Sequence, residues 1–321
     1  MKTRDVPHEL RDFFKLFDQL CGKHDYSRVY DDYLSMAYTQ FTPKCYPQYE
    51  QEHAAAMKPY NAKEKQIFSA MFREMIMVLH RQLGAPADAA WLDSKKDVKP
   101  RVSGWYDFFG DFYQELTSRG KSSRLGQFFT PPELCDLMTQ INYPVPETGK
   151  TMCVHDPTCG SGRTLLSFNS FFPGHHHYAQ DVDRMCCKMT LLNFAVHGVM
   201  GEVVWGDSLH PEDYREGWLV NVDINKPWKP LYGIPHIVPL VKEKSGIWQH
   251  WNQRREDVAA GRYVNGQYVD PPAAVPGRPR LTLFELPKPT QQPTPPPTPP
   301  SQERGVQKRP AAAVEIQQKL F

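Results

Sequence analysis

Apolar side chains recur every three or four positions through the first third of the chain. Leu10, Phe13, Phe14, Phe17 and Leu20 share one face over residues 8–22, which predicts an amphipathic helix. Tyr30, Tyr33, Leu34, Met36 and Ala37 predict a second helix, with Asp25 and Ser27 as candidate caps. A third runs over about 62–83, where Ile67, Phe68, Met71, Phe72, Met75, Ile76, Leu79 and Leu83 fall on one face and Gly84 and Pro86 stop it. A fourth covers Trp105 to Leu116. No strand-like alternation interrupts this region, so residues 1–121 read as a helical domain, packed as a lid or bundle.

The pattern then changes. Met152-Cys153-Val154-His155 leads into Asp156-Pro157-Thr158-Cys159-Gly160-Ser161-Gly162-Arg163, and a helical run, Thr164–Phe168, leaves it. Strand, tight glycine turn and helix in that order make a nucleotide-type binding site in a parallel α/β sheet. Gly160 and Gly162 let backbone approach a ligand where a Cβ would block it, and the helix start offers free N–H groups. Tyr178–Asp183 reads as a second strand ending in acids, and Met185–Val196 as a helix ending at Gly198. Val203–Leu209 reads as a third strand carrying Asp207, and Trp218–Ile224 as a fourth that runs into Asn225-Lys226-Pro227-Trp228. Just upstream of the first strand, Ser122–Met138 holds a punctuated helix start. Thr130 is its expected cap, Pro131 its first position and Glu133 the capping-box partner. After Trp228 only a short helix near Trp248–Ala260 and weak strand signals at 262–269 remain.

Composition narrows the class. The 321 residues can bury a full core, and a net charge of +2 confines any basic surface to a local patch. Seven cysteines with no Cys-x-x-Cys pair suit free thiols in a reducing, cytoplasmic compartment. No run approaches the ~18 apolar residues of a membrane helix, and the charged N-terminus does not read as a signal core. His175, His176 and His177 are consecutive, so in a strand they alternate sides and cannot share one ion. They read as a solvent-facing loop with no metal. Many of the 30 prolines lie from Pro271 onward. The expected organisation is therefore a helical domain at 1–121, an α/β domain at 122–270 and a Pro-rich disordered tail at 271–321.

Gly126-Gln127-Phe128-Phe129-Thr130-Pro131-Pro132-Glu133 followed by Asp156-Pro157-Thr158-Cys159-Gly160-Ser161-Gly162 resembles the N6-adenine DNA methyltransferases of the type I modification-subunit kind. The resemblance covers about residues 100–228. It implies a class I S-adenosylmethionine-dependent methyltransferase fold, with S-adenosyl-L-methionine as cofactor and DNA as partner. It places Phe128 and Thr130 over the cofactor and Asp156, Thr158, Gly160 and Gly162 in its loop. Asp181 would take the ribose, with Asp183 the alternative, and Asp207 the adenine amino group. Asn225, Pro227 and Trp228 would hold a flipped adenine, the Asn accepting from its amine and the Trp stacking on it. In the family that turn reads Asn-Pro-Pro-aromatic; here Lys226 replaces the first Pro. Asp270-Pro271-Pro272-Ala273 is a lesser candidate that lacks the aromatic. Two readings stay open: an active enzyme of a bacterium or mobile element, or a binding module that has lost the chemistry. Sequence recognition would need a separate specificity subunit or the helical domain gripping DNA. In the tail, Leu281-Thr282-Leu283-Phe284 and Gln317-Gln318-Lys319-Leu320-Phe321 resemble peptides that dock on the sliding clamp, although a tail helix folding back is the simpler reading.

Overall fold

The computed structural model describes residues 6–84, 102–117, 128–142, 151–210, 212–264 and 267–268. Helices α1 (Arg11–Leu20), α2 (Tyr26–Thr39), α3 (Pro47–Met57), α4 (Ala62–Gly84) and α5 (Phe108–Thr117) come first. The apolar stripe read from the sequence of α1 is wholly buried. Phe13 meets Tyr33, Phe108 and Phe112 edge-on at 5.1, 4.9 and 4.7 Å between centroids, a geometry that aligns ring edges with ring faces. Asp25 caps α2 by accepting from the Ser27 and Arg28 N–H groups. Asn61 and Glu64 cap α4 reciprocally: Asn61 Oδ1 accepts from Lys63 and Glu64, and Glu64 accepts from the Asn61 N–H. The sequence pattern misses α3, because Pro47–Met57 buries only Tyr49, Ala56 and Met57 and has no apolar stripe. What seats it is an ion pair. Glu52 takes both Nη atoms of Arg184 at 2.9 and 3.0 Å.

The sheet follows. Strands β1 (Cys153–Asp156), β2 (His176–Asp181), β3 (Gly201–Gly206), β4 (Tyr214–Val220) and β5 (Ile237–Pro239) lie side by side in that order. Helix α6 (Pro132–Asn142) precedes β1; α7 (Arg163–Phe171) and α8 (Arg184–Val196) make the two crossovers; α9 (Gly246–Ala259) follows β5. β1, β2 and β3 are parallel, and β4 and β5 are antiparallel to their neighbours. The α/β class is as expected. Pro132 rather than Pro131 opens α6, since the Pro131 carbonyl accepts the first helical N–H groups from Leu134 and Cys135. A two-residue ladder, Tyr263–Val264 with Gln267–Tyr268, matches the weak strand signal.

Helix α8 is buried almost all round, because it packs on the sheet and on α2 and α5. Its Lys188 reaches Asp31 at 2.6 Å and Ser35 at 2.8 Å across that seam. The hydrophobic core therefore runs without a break from α1–α5 into the sheet layer. All seven cysteines are free thiols. No helix among the described residues is long and apolar enough to cross a membrane.

The three histidines are not a solvent-facing loop. His176 opens β2, and His177 is fully buried against Phe168 and Phe194. Its Nδ1–H donates to the Met200 carbonyl at 3.2 Å, while Nε2 has no partner. Burial pushes the His177 imidazole down to about 3. A depressed histidine stabilises the fold above its unfolded value near 6.5, and that contribution is lost as pH falls from there toward 3. The slope is about 1.4 kcal/mol per pH unit. Asp111, raised to about 7 by burial and by Asp107, acts with the opposite sign over the same range. Urea unfolding of wild type and His177→Phe at pH 7.5 and 5.0 separates them. Wild type is expected to lose about 2 kcal/mol more than the variant; equal losses would rule out a buried neutral His177.

Candidate functional site

The turn after β1 is held from several directions. Asp156 accepts from the Thr158 N–H at 3.0 Å and from the Thr164 hydroxyl, which links the strand end to α7. The Cys159 N–H donates to the Gln180 carbonyl at 2.9 Å, so the turn stays registered on β2. Gly160 and Gly162 have φ of 54° and 87°, the left-handed region where a side chain is strained. A Cβ on Gly160 would also lie 2.8 Å from the Phe129 ring. Thr190 Oγ1 donates to the Gly160 carbonyl at 2.9 Å.

Asp181 closes the turn from β2. One oxygen accepts from the Gly160 N–H and the other from the Asp183 N–H, each at 2.9 Å. It is only 9% exposed, and burial raises its carboxyl above the ordinary range. Asp183 accepts from the Met185 N–H and so caps α8. Asp207, beyond β3, accepts from the Leu209 N–H and pairs with His210, both at 2.9 Å. The structure thus gathers Asp156, Thr158, Gly160, Gly162, Asp181, Asp183 and Asp207 at the carboxyl ends of three parallel strands. That is where α/β sheets of this kind take ligands.

Phe128 and Thr130 divide differently from expectation. Phe128 is 86% exposed, and it is Phe129 that packs on Gly160 and on Tyr113. The Thr130 carbonyl accepts from Arg163 Nη1 at 3.3 Å. Adjacent aromatics are hard to tell apart from sequence, because which one faces inward depends on how the segment enters α6.

Asn225, Pro227 and Trp228 are not brought to this end of the sheet. The fourth strand stops at Val220, and it runs antiparallel to β3. Val220 is opposite Gly201, at the start of β3, whereas Asp181 is opposite Trp205, near its end. β3 has six residues, so the two ends lie roughly 17–20 Å apart. Asn225 Nδ2 sits 3.7 Å from Met200 Sδ, just before β3, and burial together with the Lys226 cation holds His176 down at about 4. Trp228 is 77% exposed. Lys226 pairs with Asp223 at 3.0 Å. Expecting these residues to face the glycine turn assumed a parallel fourth strand; an antiparallel one delivers its exit loop to the opposite edge.

Sequence reading also missed the groups that support the turn from beneath, Asp107, Arg163 and Asn193. Asp107 and Arg163 are charged and almost wholly buried. Only Arg163, directly after Gly162, could have been flagged by position. Beside β1, a cleft of about 220 Å3 runs under α6, lined by Cys135, Met138, Thr139, Val154, Asp156 and Thr164 among others. Among the described residues β1 pairs only with β2. A larger open cleft of about 660 Å3 lies among α2, α3 and α4, and no residue of the turn lines it. Size alone does not mark it as the site. Asp270–Ala273, Leu281–Phe284 and Gln317–Phe321 lie outside the described residues.

Parallel strands, a glycine turn and acids at the strand ends define an α/β fold of the kind that takes ligands at the carboxyl ends of its strands. Within it, residues 105–241 match the N-6 DNA Methylase family, and the resemblance carried by the two motifs is borne out over that segment. The Type I restriction enzyme MjaIX methylase subunit of Methanocaldococcus jannaschii is 27% identical over 140 residues, which cover 41% of this chain and 23% of that protein. The chain therefore matches less than a quarter of the length of that relative. The crystal structure of a type I restriction-modification methyltransferase subunit from Streptococcus thermophilus is 17% identical. It covers 65% of this chain and 60% of its own, with a TM-score of 0.33.

Proposed function

We propose that this chain binds S-adenosyl-L-methionine at the Gly160–Gly162 turn and serves adenine-N6 methylation of DNA. The observation that carries the choice of cofactor is the charge of the site. Asp156, Asp181, Asp183 and Asp207 all lie at the carboxyl ends of β1–β3. A phosphate-bearing nucleotide would be repelled there, whereas a cofactor with a sulfonium and an ammonium group would be attracted. The left-handed glycines fit a ligand pressed close to backbone, and Asp181, at the end of β2, suits ribose hydroxyls. The bound cofactor supplies an electrophilic methyl group. The chain's own residues hold and orient it: Asp181 and the turn on one side, Asp207 at the far strand end. The family match and the methylase-subunit relative support DNA as the substrate and a separate specificity subunit as partner.

The position of Asn225 and Trp228 favours a second reading, a module that binds cofactor without completing methyl transfer. Titration calorimetry with S-adenosylmethionine and with NAD, followed by a tritiated-methyl assay on mixed DNA, separates the readings. Micromolar binding of the first and none of the second is expected. Transfer to DNA would establish the enzyme; binding without transfer would leave the module. Absence of binding would end both.

A further inference from the structure

We propose that Asp107, at the entry to α5, is the residue that sets the conformation of the Gly160–Gly162 turn, and that Gly110 exists to let it do so. For the ligand the turn would hold, this rests on the cofactor reading above; for the turn's geometry it stands alone. Asp107 is almost wholly buried, and its carboxylate accepts four hydrogen bonds. Oδ1 takes the Gly110 N–H at 2.8 Å and Asn193 Nδ2 at 2.7 Å. Oδ2 takes Ser161 Oγ and Arg163 Nε, each at 2.5 Å. Four acceptances exhaust the lone-pair sites of a carboxylate, so the group has one arrangement and no slack.

One of those bonds goes to the turn itself and one to the start of the helix that leaves it. Ser161 lies between the two left-handed glycines, and Arg163 is the first residue of α7. A third acts through Asn193, whose Nδ2 also donates to the Ser161 carbonyl at 2.8 Å. Ser161 is thus held by its side chain from Asp107, more than fifty positions earlier in the chain, and by its backbone from Asn193 of α8. Arg163 spreads the anchor further, to Asp111 and to the Thr130 carbonyl. The approach is close enough to forbid a side chain at residue 110. A Cβ there would collide with Asp107 Oδ2 and lie 2.5 Å from Ser161 Oγ. Gly110 is helical and has no positive φ, so backbone conformation does not explain it; the proximity of Asp107 and Ser161 does.

Amide hydrogen exchange on the unliganded full chain tests this without any cofactor. Asp107→Asn keeps the shape of the side chain but turns one oxygen into an NH2, so two of the four donors lose their acceptor and meet another donor. Exchange at the Gly160 and Gly162 N–H groups is expected to rise at least about 10-fold, while β3 and β4 amides keep wild-type protection. Uniform change across the sheet, or none at the turn, would overturn the proposal, since a merely structural ion pair would loosen the whole fold together. Should Asp107→Asn fail to fold, Ser161→Ala removes a single bond to Asp107 and must show the same local pattern to a smaller degree. Calorimetry with S-adenosylmethionine on the same proteins then keeps the two ideas apart. Local loosening with no wild-type binding would sink the cofactor reading and leave the positioning role intact. Wild-type binding with unchanged exchange in both variants would do the reverse.

Discussion

Replacing Asp181 by Ala is expected to weaken S-adenosylmethionine binding by about 100-fold or more, while Asn225→Ala leaves it unchanged. Asp181 gives both oxygens to backbone N–H groups, of Gly160 and Asp183, and is nearly out of contact with water. Hydrogen bonds to a charged group are worth about 1.5–3 kcal/mol each, and 100-fold corresponds to about 2.7 kcal/mol. Losing the carboxylate frees the Gly160 N–H and, on the proposed reading, removes the acid that would meet the ribose. Asn225 lies by Met200, a strand length away, and touches none of these groups. Calorimetry on both variants checks the pair. A strong effect of Asn225→Ala would mean that the antiparallel β4 does not describe the binding-competent protein; a weak effect of Asp181→Ala would move the cofactor off the turn.

Asn221→Ala should destabilise the fold by about 3–5 kcal/mol. Asn221 is fully buried, with φ of 56°, the one residue other than glycine in the left-handed region among those described. Its Nδ2 donates to the carbonyls of Phe194, Val199 and, more distantly, Ala195, and its Oδ1 accepts from the His236 N–H at 3.0 Å. The side chain ties the end of α8 to the junction between β4 and β5. Alanine leaves those buried groups unpaired at about 1–3 kcal/mol each, offset in part by relaxation, and adds left-handed backbone strain of about 1–2 kcal/mol. Asn221→Gly relieves only the strain. Urea denaturation should therefore rank wild type above Gly and Gly above Ala. Equal stability of Gly and wild type would show that the side-chain bonds contribute nothing.

The two asparagines illustrate how sequence and structure divide the work. In Asn221-Val222-Asp223-Ile224-Asn225, only spacing to Pro227 and Trp228 distinguished Asn225 as a site residue. The structure gives Asn225 an exposed position and Asn221 the demanding one. A strand's direction cannot be read from its own residues, because parallel and antiparallel strands share the same alternation. The direction of β4 decides which end of the sheet receives the loop after it, and so whether Asn225 and Trp228 can meet the Gly160–Gly162 turn.

What the sequence determined by itself is local. Apolar spacing set α1, α2, α4 and α8; the glycines and acids marked the ends of β1, β2 and β3, where side chains report on their own backbone. The motif pair identified the family segment. Only the tertiary structure decided which of Phe128 and Phe129 faces the turn, that α3 is seated by Glu52 on Arg184, and that Asp107 saturates its hydrogen bonds beneath Ser161. Each of these joins residues far apart in the chain, and a buried charge leaves no periodic trace. Its energy comes from partners that folding alone brings within reach.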